Sequence, residues 1–106
     1  FGDLKVIVTD DLQKVGDKYD LGDMSRFDAV TFDSEKGGYQ TICLAFKTNV
    51  KLSIVCHETV HAVNKIFRHT GIEPDLLNDE PQAYLSGWVF DTCYKFLNRE
   101  LNNDKK

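Results

Sequence analysis

Leu52-Ser53-Ile54-Val55-Cys56-His57-Glu58-Thr59-Val60-His61-Ala62-Val63-Asn64-Lys65-Ile66-Phe67 is the stretch on which the reading of this chain turns. Leu52, Val55, Cys56, Thr59, Val60, Val63, Ile66 and Phe67 recur at helical spacing. That pattern predicts a long amphipathic helix over residues 47–70. Thr48 or Asn49 is placed to cap its start. Lys65, Arg68 and His69 fall in its last turns, where cations suit the helix dipole. Gly71, with Ile72 behind it, supplies a left-handed stop. Within this helix, His57-Glu58-x-x-His61 sets two imidazoles four residues apart. At about 100° per residue they lie about 40° apart, one turn above the other, with Glu58 about 60° from His61. Both imidazoles can reach one metal ion, and zinc in a catalytic site keeps a position open for water. A neighbouring carboxylate that is not a ligand can take a proton from that water and pass it to a leaving amine.

Upstream, the chain looks like strands and loops. Residues 4–9 (LKVIVT) are apolar and β-branched, a strand. Residues 10–26 are polar and interrupted by Gly16 and Gly22, with Leu12, Val15 and Tyr19 on one face of a short helix. Residues 28–33 alternate as a strand does, and residues 34–38 (SEKGG) form a hairpin loop. Residues 39–46 alternate again, with Gln40, Ile42, Leu44 and Phe46 on one face and Tyr39, Thr41, Cys43 and Ala45 on the other. Downstream, a linker containing Pro74 leads to a second long helix over residues 79–101. Leu85, Trp88, Val89, Tyr94, Phe96, Leu97 and Leu101 supply its apolar side chains, and Trp88, Phe90, Tyr94 and Phe96 are expected in the core.

The fold class that follows is α+β: a small sheet of about three strands packed on the HExxH helix, then a second long helix. The 106 residues suit one domain, with a strand-and-loop part over 1–46. The chain opens Phe1-Gly2-Asp3 rather than on Met, which fits a piece whose upstream signal or domain has been removed.

Composition narrows the function classes. Thirteen basic against 17 acidic residues give a formal charge of −4, so no basic stripe exists for a phosphate backbone and nucleic acid is not the expected partner. No apolar run is long enough to span a bilayer. Cys43, Cys56 and Cys93 are odd in number and include no CxxC. They suit buried or half-buried thiols in a reducing, intracellular compartment.

A catalytic zinc wants a third protein ligand. The metzincin spacing fails, because Asn64 stands where a Gly is needed and Phe67 where the third His is needed. A carboxylate from the next helix is the other route. Glu80 sits in that helix's first turn, and Ala83 and Gly87 on its face are small enough for close helix approach. Asp75 and Asp79 are substitutes.

His57-Glu58-x-x-His61 followed by Glu80-x-x-Ala83-Tyr84 resembles the gluzincin-type minimal zincins. It is similar in particular to small phage-borne or mobile-element HExxH proteins, and more distantly to the ImmA/IrrE group. The resemblance spans roughly residues 40–88. It implies a zinc metallopeptidase with His57, His61 and Glu80 as ligands and Glu58 as general base. It also implies that strand 39–46 lines the cleft and takes a substrate peptide by strand addition. Tyr84 stands where larger gluzincins carry an aspartate that orients a ligand histidine. Tyr39, Tyr84 and His69 are the candidates for oxyanion stabilisation.

Two rival functions share these residues. One is a catalytically silent zincin-like module that uses the metal, or only the fold, to support protein contacts. Glu58 discriminates, since hydrolysis needs it and a structural site does not. The other is a non-haem iron oxygenase, for which two His and one carboxylate are the right ligands but Glu58 has no clear task.

Overall fold

In the computed structural model, which describes residues 3–104 and side chains as far as Arg99, the elements run β1 (Asp3–Thr9), α1 (Leu12–Tyr19), β2 (Ala29–Lys36), β3 (Tyr39–Lys47), α2 (Leu52–Thr70) and α3 (Glu80–Asp104). The strands form one mixed sheet in the order β1-β3-β2. β3 is parallel to β1 and antiparallel to β2. The expected α+β class holds: three strands, the HExxH sequence inside α2, and a second long helix after it. Helix α3 runs three residues past the expected end at 101.

The hairpin is tighter than its sequence suggests. Ser34, Glu35 and Lys36 belong to β2, and only Gly37 and Gly38 turn the chain, at φ 59° and 81°. Two successive positive φ angles match the two-residue turn whose twist suits a hairpin, which is why both residues are glycine. Its register pairs Lys36 with Tyr39 and Phe32 with Cys43.

The period-two reading of β3 gives both its faces correctly. Ile42, Leu44 and Phe46 join Val55, Ala62, Val63, Ile66 and Phe67 of α2 and Val89, Cys93 and Leu97 of α3 in the larger core. Cys43 and Ala45 join Leu12, Val15, Met24 and Phe32 beneath α1 in a smaller core on the opposite face. All five residues 42–46 are therefore buried, as expected of a strand covered on both faces. Phe46 alone removes enough apolar surface from water to contribute about 2–3 kcal/mol.

That position corrects one expectation. Strand 39–46 was expected to offer an open edge for a peptide, but β3 is the central strand and pairs on both sides. It pairs with β1 on one flank and β2 on the other, so the edges fall to β1 and β2. The antiparallel edge strand beside α2 is β2, whose outer side has no strand partner among the described residues.

Local chemistry sets the helix ends. Asp11 caps α1 by accepting the Gln13 N–H at 3.0 Å, as short polar side chains do at that position. Gly16 sits inside α1 rather than breaking it. A Cβ there would meet Met24 Cγ at 2.6 Å, so a glycine is what lets the following loop fold back. At α2 neither Thr48 nor Asn49 caps. Asn49 takes a left-handed φ of 68° in the turn, and Lys51 holds the cap position with no side-chain bond. The far end follows expectation: Gly71 is left-handed at φ 74°, and Ile72 N–H bonds back to the Phe67 carbonyl at 2.9 Å, the Schellman pattern.

Candidate metal centre

Helix α2 lies across β2 and β3, rotated from the arc its apolar residues suggest. The expected stripe included Leu52, Cys56 and Val60, but all three are exposed. The buried positions are Val55, Glu58, Thr59, Ala62, Val63, Ile66 and Phe67. On a helical wheel the buried arc is turned about 40° toward Glu58. Ala62, fully buried, lies within this arc and joins the larger core.

The rotation sets the chemistry of the motif. Glu58 is carried inward to 7% exposure, while His57 and His61 stay on the solvent side of the same helix. The three side chains converge all the same, with one ligand atom from each within 4.8 Å of the others. His57 Nε2 and His61 Nε2 stand 3.2 Å apart, and Glu58 Oε2 stands 3.8 Å from His57 Nε2. Two nitrogens bound tetrahedrally to zinc at ordinary bond lengths lie about 3.3 Å apart. The imidazole spacing thus fits one metal ion between the rings. The same spacing also fits an N–H···N bond when one ring carries the proton.

Glu58 is held by the edge strand. Thr31 Oγ1 donates to Glu58 Oε1 at 2.8 Å and lies 3.3 Å from the Glu58 carbonyl. Thr31 shares its face of β2 with Ala29 and Asp33. The bond satisfies one carboxylate oxygen, and a buried carboxylate without a partner would be costly. It leaves Oε2 on the His57 side.

Two turns further along α2 the same two elements meet again. Asp33 of β2 takes Lys65 Nζ at 2.9 Å on one oxygen and His69 Nε2 at 2.7 Å on the other. Burial pushes the Asp33 carboxyl up, but the bonds to Lys65 and His69 and their charges outweigh it, so it sits below the ordinary aspartate value. Lys65 and His69, expected as cations for the helix dipole, are therefore tied to a specific carboxylate. His69 is engaged there and not at the His57–His61 pair.

Neither tyrosine expected near the reaction joins the group. Tyr84 is 76% exposed on α3. Tyr39 lines a cleft with Cys43 on the α1 face of the sheet, opposite α2. Glu80 opens α3, is exposed, and is not among the clustered residues. Helix α3 returns antiparallel to α2, with Leu52 near Leu97 at one end and Phe67 near Pro81 and Gln82 at the other. On the helical wheel Leu52 lies about 140° and Phe67 about 80° from the nearer histidine. The structure thus brings together His57, Glu58 and His61, and adds Thr31, which the sequence reading did not single out. Only the alternation of residues 28–33 hinted at it, by setting Thr31 on one face with Ala29 and Asp33.

No protein-family model matches the chain, and neither the curated proteins nor the solved structures yield a match. What the site can do therefore rests on its own residues. Among the described residues, no helix is long and apolar enough to cross a membrane.

Proposed function

We propose that this domain is a zinc-dependent metallopeptidase of the minimal-zincin kind, with His57 and His61 as metal ligands and Glu58 as general base. The observation that supports it is the convergence of the two Nε2 atoms at 3.2 Å beside a buried carboxylate. A divalent ion there would supply Lewis acidity, lowering the pKa of water and polarising a peptide carbonyl. Glu58 would supply the proton traffic. Its Oε1 is held by Thr31, and its Oε2 is free to take a proton and release it to the departing amine. Glu80 is proposed as the third ligand, with Asp75 or Asp79 as substitutes. This part of the assignment rests on the resemblance in sequence, since none of the three belongs to the clustered group.

The test is a peptide-library digest with Glu58→Gln beside wild type. Glutamine keeps an acceptor for Thr31 but cannot take a proton. Cleavage by wild type that is lost in Glu58→Gln supports the mechanism, and equal cleavage by both excludes it.

One observation favours a second reading, a zincin-like module that binds metal or partners without turnover. Glu80 lies outside the group, so the carboxylate nearest the two imidazoles is Glu58 itself. Were Glu58 the third ligand, no base would remain. Glu58→Gln would then weaken metal binding along with any activity, whereas a pure base role leaves metal binding intact.

A further inference from the structure

The sheet face away from the histidines carries a cleft of its own. Helix α1 has eight residues, a rod about 12 Å long, against a nine-residue β3 that spans about 30 Å. It covers Ala45 and Phe32 and stops at Tyr19. Beside Tyr19 a cleft of about 460 Å³ opens on this face.

Its walls are cationic. Lys5 of β1, Lys18 of α1 and Lys36 of β2 come from three separate elements to line it, and among the described residues no carboxylate lines it. In a chain with a formal charge of −4 this is a local reversal of sign. Two of the ammonium groups are organised around one ring. Lys5 Nζ donates to Tyr19 Oη at 3.2 Å, and Lys18 Nζ stands 5.4 Å from the Tyr19 ring centroid. The floor adds hydroxyl groups from Ser34 and Thr41. Ammonium groups converging with hydroxyl donors suit a tetrahedral oxyanion, which lysine binds as a point charge. Tyr19 and Tyr39 offer ring surface to an organic remainder.

We propose that this cleft binds a small phosphate-bearing molecule through Lys5, Lys18 and Lys36. Asp3, the register partner of Thr41 in β1, stands at the outer end and opposes such a ligand. The Tyr19 hydroxyl beside it raises the Lys5 pKa above the ordinary lysine value, so that ammonium stays charged.

The experiment is an amide NMR titration of the whole domain at low ionic strength, with inorganic phosphate in one series and phenyl phosphate in the other. Saturable shifts centred on residues 5, 18, 34, 36 and 41 are expected. Lys5→Met and Lys36→Met should each weaken binding about fivefold, and Asp3→Asn should tighten it. All three sites are exposed, and thermal melting checks that each variant stays folded. Tighter phenyl phosphate identifies an organic ester as the class, whereas equal affinity points to free phosphate. No shift at these amides at millimolar probe overturns the proposal, as do shifts that persist unchanged in the Lys5→Met, Lys36→Met double variant.

Discussion

Thr31 Oγ1 donates a 2.8 Å hydrogen bond to Glu58 Oε1, joining the edge strand to the one acid buried among the described residues. This bond links fold to site. With the Asp33 pairs to Lys65 and His69 it ties β2 to α2, and it leaves Oε2 of Glu58 on the His57 side.

Thr31→Val keeps the shape of the side chain and removes the donor. A carboxylate at 7% exposure then loses its partner, which costs about 1–3 kcal/mol. Thr31→Ser restores the hydroxyl and should recover most of that loss. Urea melts of the three proteins at neutral pH check the order wild type, Thr31→Ser, Thr31→Val.

Asp33 gives the acid side of the stability profile. Its carboxyl is raised by burial and lowered further by Lys65 and His69, so its folded value lies below the ordinary 3.8. A depressed folded pKa adds stability that is fully present above the unfolded value and is lost as pH falls through the folded one. Wild type should therefore be more stable than Asp33→Asn at neutral pH, with the gap closing below pH 3.8. Denaturant melts across that range read the gap directly; one that stays constant would contradict the assignment.

The thiols should separate cleanly. Burial pushes the Cys93 thiol up to about 12 and raises Cys43 as well. Cys56 is exposed. One thiol per chain should react promptly with Ellman's reagent in the native state and all three in denaturant. Cys56→Ser should abolish the prompt reaction.

The rotation of α2 makes a prediction about neighbouring positions. Val60 is 50% exposed and Val63 is 1% exposed. Val60→Ala should change stability by less than about 0.5 kcal/mol, while Val63→Ala should cost about 2 kcal/mol. Thermal melting distinguishes the two.

That pair also marks the limit of what the sequence discloses. Periodicity placed a helix over α2 and assigned both faces of β3, because successive strand residues point to opposite faces. It could not set the rotation of α2 to better than about 40°, since Val60, Cys56 and Leu52 look as apolar as Ala62 looks neutral. The outer face of α3 misled for the same reason. Trp88, Tyr94 and Phe96 suggest core, yet they are 52%, 47% and 37% exposed. His57, Glu58 and His61 were legible because a four-residue helical spacing is local. Thr31 and Asp33 were not, because their partners lie 27 and more residues away. Only the order β1-β3-β2, which no local pattern encodes, brings them to α2.

The most direct test of the central claim is zinc content, measured by elemental analysis on protein purified without a metal-affinity tag. Wild type, Glu58→Gln and His57→Ala are compared, each after zinc is offered and excess removed. The account predicts one zinc per chain in wild type and in Glu58→Gln, and none in His57→Ala. No zinc in wild type, or zinc retained undiminished in His57→Ala, would contradict it.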